Sequence, residues 1–166
     1  MNFSEDLDIK SDIVLNYSMR YSHPKLRRIN HLISELDHIY HEAALSFELT
    51  DSEFSILYTL CVEGDGCALN QLVQYAALPK QTVNSALRKL EEGKIITLTL
   101  NGKRKKNVNL TQLGQELCLK TVIKVIALEN SIFLLWGEEK SDRYIEETRE
   151  YNNLMQEGLN NICKSN

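Results

Sequence analysis

Between Leu26 and Phe47, apolar residues recur at helical spacing: Leu26, Ile29, Leu32, Ile33, Leu36, Ile39, Tyr40, Ala43 and Phe47. At ~100° per residue they gather on one side of a helix. Pro24 suits its first turn, where a missing N–H costs nothing. In LTDSEFSILYTL, Thr50 followed three residues later by Glu53 is a capping box, so a second helix is expected to start at Asp51. It should end near EGDG. ALNQLVQYAAL reads as a short third helix. Beyond Pro79, KQTVNSALRKLEEG reads as a fourth, closed by Gly93. The period then changes to two. KIITLTL alternates Ile96, Leu98 and Leu100 with threonines, which predicts a strand with one buried face. NVNL alternates Val108 and Leu110 with asparagines, a second strand. Thr111 then caps a long helix expected from Gln112 to about Trp136, which Gly137 breaks. A final helix carries Ile145, Tyr151, Met155, Leu159 and Ile162 on one side.

This order predicts a mainly α fold with a small β-hairpin, in the α+β class. Two helices joined by a tight turn make a helix-turn-helix, and the hairpin behind them makes it winged. The stretch from Val122 to Trp136 is apolar nearly all round and is expected to be buried on several sides, as in a dimer interface or a core.

Charge sharpens the picture. The chain carries a net charge of -4. Residues 67–111 nevertheless hold eight cations against the two acids Glu91 and Glu92, a local net of +6. Such asymmetry points to a localised contact with a polyanion. A membrane contact is not expected. The most apolar window, LCLKTVIKVIALENSIFLLW, contains Lys120, Lys124 and Glu129, and each mid-bilayer charge costs roughly 2.5–3.5 kcal/mol. The N-terminus MNFSEDLDIK is acidic and lacks the apolar core of a secretory signal, which suggests a cytoplasmic protein with reduced thiols.

The fourth helix concentrates the candidate chemistry. Val83, Ala86, Leu87 and Leu90 share one face, expected to pack on the third helix. The opposite face presents Gln81, Asn84, Ser85 and Arg88, types that read base edges in a major groove. Lys80, Thr82 and Lys89 flank them and suit phosphate contacts. Taken alone, this face also fits a solvated helix surface. The hairpin shifts the balance. A two-residue Asn101-Gly102 turn would set Ile96 opposite Asn107 and Leu98 opposite Lys105, apolar against polar. Pairing Ile96 or Leu98 with Val108 keeps the apolar faces together and needs a loop of about three or five residues. Lys103, Arg104, Lys105 and Lys106 then lie at or beside the tip, where they can reach the DNA backbone or a minor groove.

The run from Leu49 to Gly114, with LTDSEFSIL, ALNQLVQYAALPKQTVNSALRKLEEGKI and VNLTQLG, resembles the MarR family of bacterial winged-helix transcription regulators. The resemblance implies a homodimer, most naturally a repressor, whose terminal helices interlock and whose winged helices read a pseudo-palindrome. It implies that the helix from Lys80 to Lys89 is the recognition helix and that Arg104 is the wing-tip arginine. The family usually has Asp-x-Arg in the wing, and Gly102 stands where the Asp would be. Three parts follow: residues 1–48 as the N-terminal segment and first dimerisation helix, 49–111 as the winged helix-turn-helix, and 112–166 as C-terminal dimerisation helices. A variant reading is a regulator that responds to a small-molecule effector, with a pocket near Tyr40 and Phe47. Another is a winged-helix module that binds proteins rather than DNA.

The remaining candidates read differently. His23, His31, His38 and His41 share the polar face of the first helix, and His38-x-x-His41 has a metal-ligand spacing. A solvated face is the expectation, since no Cys or acid clearly converges with them. The four cysteines form no CxxC pair, and Cys61 is expected as a buried structural thiol. No nucleophile–base pair, phosphate loop or paired acids suggests an enzyme, and no cofactor is expected.

Overall fold

A computed structural model describes residues 24–64, 66–101 and 105–164. The elements run α1 (Pro24–Ser46), α2 (Asp51–Glu63), β1 (Cys67–Ala68), α3 (Leu69–Tyr75), α4 (Lys80–Glu92), β2 (Ile96–Asn101), β3 (Lys105–Leu110), α5 (Gln112–Lys120) and α6 (Val122–Lys164). The fold is mainly helical with a small antiparallel sheet, a winged helix-turn-helix. The described residues divide into two compact units, one spanning Asn30–Ile132 and the other comprising 24–29 and 133–164.

Local chemistry explains most boundaries. The Thr50 capping box is present: the Glu53 N–H donates to Thr50 Oγ1 (3.3 Å), and the Thr50 N–H donates to Glu53 Oε2 (2.9 Å). Such a cap contributes about 0.5–2 kcal/mol. Helix α4 closes at Gly93 as expected, but the left-handed residue of the turn is the next one. Gly93 stays right-handed at φ −73, and Lys94 takes the positive φ of 58. The Ile95 N–H reaches Leu90 O (2.8 Å) and the Lys94 N–H reaches Glu91 O (2.9 Å). This is a Schellman turn, in which the left-handed residue is the second beyond the last helical one. That position falls on Lys94, not Gly93.

The core of the Asn30–Ile132 unit gathers Ile56, Leu57 and Leu60 from α2, Leu72 from α3, Val83, Leu87 and Leu90 from α4, Ile96 and Val108 from the sheet, and Val122 at the start of α6. Helix α4 packs chiefly on α2, not on the short α3 as its apolar face suggested. Seven residues give α3 too little surface to be the main support.

The strand order is β1-β3-β2. Leu98 pairs with Val108 and Ile96 with Leu110, which keeps apolar opposite apolar. Of the two registers that parity allowed, this is the one formed. The ladder continues to Asn101↔Lys105, so the residues between the strands are 102–104, and the two-residue Asn-Gly turn is not used. Leu100 departs from the one-face reading. It pairs with Lys106 beyond the edge of the core and is 75% exposed. Strand β1 was not foreseen. Its two residues pair Cys67 with Val108, a long-range contact that leaves no periodic trace in so short a segment.

The expected long helix from Gln112 is two helices. Thr121, at φ −125 and ψ −98, separates α5 from α6. Its hydroxyl donates to Leu117 O (2.7 Å). Gly137 (φ 73, ψ 170) then kinks α6, as its position suggested. No described helix is long and apolar enough to cross a membrane.

The junction of wing and α5 is tightly locked. The Thr111 N–H donates to Ile95 O (2.9 Å) and its hydroxyl to Lys94 O (2.6 Å), while Thr111 Oγ1 caps the Gly114 N–H (3.0 Å). A Cβ on Gly114 would lie 2.1 Å from Ile95 O, a backbone atom that cannot move without shifting the strand. Gly114→Ala is therefore expected to destabilise the protein by roughly 3 kcal/mol. Denaturant unfolding measures this, and a loss within about 0.5 kcal/mol would contradict the close approach.

Candidate nucleic-acid interface

The two faces of α4 separate cleanly. Val83, Ala86, Leu87 and Leu90 are buried, while Lys80, Gln81, Thr82, Asn84, Ser85, Arg88 and Lys89 are all exposed. The sequence-predicted contact residues of this helix therefore lie together on one outward surface. Helix α4 starts at Pro79, whose carbonyl accepts the Val83 N–H (3.0 Å). Ala77 (φ 51) makes the sharp turn from α3. One flank of the surface forms an open groove with the first turn of α2, lined by Ser52, Pro79, Gln81, Thr82, Ser85 and Lys89. Asn84 and Arg88 lie outside that groove's lining.

Among the described residues, no ion pair neutralises Lys80, Arg88 or Lys89. Their charge faces solvent, where it can act on a polyanion. In the wing, Lys105 and Lys106 belong to β3 and not to the loop, and Lys106 is exposed. The Asn109 side chain donates to Thr99 Oγ1 (2.9 Å), joining the two strands on their polar side. Lys103 and Arg104 lie outside the described residues.

The other candidates are accounted for locally. His31 Nε2 lies 3.2 Å from Glu35, His41 Nδ1 lies 2.8 Å from Asp51, and the rings of His38 and His41 stack at 6.5 Å. Among the described residues, no group of three or more His, Cys, Asp or Glu side chains could hold a metal ion.

Tyr40 and Phe47 both pack against the core. The Tyr40 phenol donates to Glu129 Oε1, and the Tyr58 phenol donates to Glu129 Oε2. Phe54 joins the tyrosines, with ring centroids 6.1 to 6.5 Å apart. Burial, and after it the Glu129 carboxylate, push the Tyr58 phenol above its ordinary range. Sequence reasoning missed this cluster. Glu129 registered only as a charge that argued against a membrane span.

It also missed a thiol pair. Cys61 on α2 and Cys118 on α5 are hydrogen-bonded to each other. That bond lowers the Cys61 thiol, and it raises Cys118, as burial also does. Burial is also the main cause that pushes up Cys67, with the Glu63 charge adding to it.

Comparison with known proteins agrees with this geometry. Residues 47–106 match the profile of the MarR family. The chain is similar in structure to a MarR family regulator from Neisseria meningitidis, 19% identical, with a TM-score of 0.72 and coverage of 82% of this chain and 97% of that one. It is similar to MepR of S. aureus, solved as a DNA complex, at 20% identity, a TM-score of 0.59 and coverage of 82% and 99%. A third likeness is to BpsR of Bordetella bronchiseptica, whose DNA binding is regulated by 6-hydroxynicotinic acid. There the identity is 21%, the TM-score 0.56 and the coverage 75% and 98%. At such identities the likeness is one of fold. No curated protein matches the chain by sequence.

The thiol environments set an order of reactivity, because the thiolate is the nucleophile. Near neutral pH, alkylation should label exposed Cys163 and half-buried Cys61 before Cys67 and Cys118. The Cys67 and Cys118 rates should rise only as pH passes above the ordinary thiol range. Mass spectrometry of a timed alkylation reads the order, and early labelling of Cys118 would contradict the assigned pair.

Proposed function

We propose that this chain, whose residues 47–106 match the profile of the MarR family, is a sequence-specific DNA-binding regulator of transcription that acts as a homodimer. The observation that carries the reading is the outward face of α4: exposed Gln81, Asn84, Ser85 and Arg88 above a fully buried apolar face, in a region of net charge +6. On this reading Gln81 and Asn84 pair with adenine edges, Arg88 takes a guanine bidentately, and Ser85 contacts either. Lys80, Thr82 and Lys89 fix the helix on the phosphates. Lys103, Arg104, Lys105 and Lys106 take the wing to the flanking backbone or minor groove. With Gly102 in place of the usual wing Asp, lysine charge does the work of holding Arg104 near the DNA.

The homodimer is supported by apolar surface. Leu32, Ile33, Leu36 and Ile39 on α1 are exposed, as are Leu134 (83%), Leu135 (84%), Tyr151, Met155, Leu159 and Ile162 on α6. Apolar patches of this extent mark interfaces, and covering them contributes about 25 cal/mol per Å². The division of labour follows: 1–48 and 112–166 for dimerisation, 49–111 for DNA. A dimer seated on a pseudo-palindrome excludes polymerase, so repression is the simplest outcome. Release by a small-molecule effector near Tyr40 and Phe47 would draw on the aromatic rings packed around Tyr40.

Binding to a duplex from the protein's own upstream region tests the reading. Affinity should fall by roughly 10³–10⁵ between about 50 and 200 mM salt. Undetectable binding at low salt would favour a protein-interaction module instead. Arg88→Ala should relax preference at one base position by about 1–3 kcal/mol, and Lys89→Ala should weaken all sequences alike and reduce the salt slope by about 1. Altered specificity in Lys89→Ala would contradict the assigned roles.

A further inference from the structure

Glu129 is a half-buried acid on α6, whose neighbours Val125 and Ile126 are half-buried and apolar. Placing a carboxylate there costs desolvation that an aliphatic residue would not. The structure repays that cost at both oxygens. Each accepts one phenol, Tyr40 from α1 and Tyr58 from α2. Hydrogen bonds to a charged acceptor are roughly twice as strong as neutral ones. They are also directional, whereas apolar contact alone lets helices slide or rotate over each other. A two-point clasp selects one relative placement of α1, α2 and this part of α6. Tyr58 keeps its proton, and hence its donor role, well above neutral pH. The aromatic contacts of Tyr58 with Phe54 and Tyr40 fix the direction from which its hydroxyl arrives.

The placement matters because α2 is the platform on which α4 packs. We propose that Glu129 is a positioning residue for DNA binding: its carboxylate, clasping Tyr40 and Tyr58, holds α2, and with it α4, at a set position against α6. The proposal rests on the DNA-binding reading. In a dimer, two such helices must meet successive grooves at once, and each lost constraint lowers the chance that both engage. Glu129 touches no DNA in this scheme. Its removal should change affinity without changing the number of phosphates contacted.

The full-length protein tests this with two readouts. NMR of ¹³Cζ-labelled tyrosine reports the phenols, and titration of the upstream duplex at several salt concentrations reports binding. Glu129→Gln should shift the Tyr40 and Tyr58 resonances and weaken binding about tenfold, with the salt slope unchanged. Tyr58→Phe, the milder change, should weaken binding in the same direction and by less. Wild-type affinity in Glu129→Gln overturns the proposal, as do unmoved phenol resonances or a reduced salt slope. Should Glu129→Gln fail to fold, Tyr58→Phe decides, and full affinity there overturns the proposal. A wild-type protein that binds no DNA overturns the regulator reading itself, and with it any role of Glu129 in binding DNA.

Discussion

Val83, Ala86, Leu87 and Leu90 press α4 onto α2, each less than 5% exposed. Because a helix has a fixed angular period, burying these four leaves no choice about what faces outward. Gln81, Asn84, Ser85 and Arg88 are outward because the leucines and valine are inward. The remaining elements serve that packing. Helix α2 is started by its capping box, the sheet closes the core through Ile96 and Val108, and the Thr111–Gly114 turn locks α5 under the exit from α4.

The same arrangement joins the two kinds of recognition a DNA reader needs. On the proposed reading, the side chains that would discriminate bases lie on one helix, and the cations that would supply affinity flank it. A net charge of -4 over the chain does not weaken this, since electrostatic attraction over short range follows local charge within about a Debye length. Most of the acids outside residues 67–111 sit in segments that the proposed function assigns to self-association.

Much of this was legible in the sequence. Helix α2 was marked by Thr50 and Glu53, and α4 by its apolar period. Parity narrowed the wing to two registers, because a shift of one residue would have buried Asn107 in place of Val108, and one of the two formed. What was not legible depends on partners distant in sequence or on geometry that composition does not encode. Strand β1 exists only because β3 is there to pair with it. The break at Thr121 is a backbone departure, φ −125 and ψ −98, in a stretch whose apolar pattern runs on unbroken. Glu129 and its tyrosines come from three different helices, and no spacing could have announced them. The shared outward face of the α4 candidates was legible because a helix face is a periodic property. In the wing, the charge and the alternation of the strands were legible.

The central claim is that the outward face of α4 meets DNA. An amide NMR titration of the full-length protein with a duplex from its upstream region tests it most directly. The account predicts that the largest shifts map to Gln81, Asn84, Ser85 and Arg88, with further shifts at Lys106 in the wing. Shifts confined to α1 and α6, with the α4 amides unmoved, would contradict it.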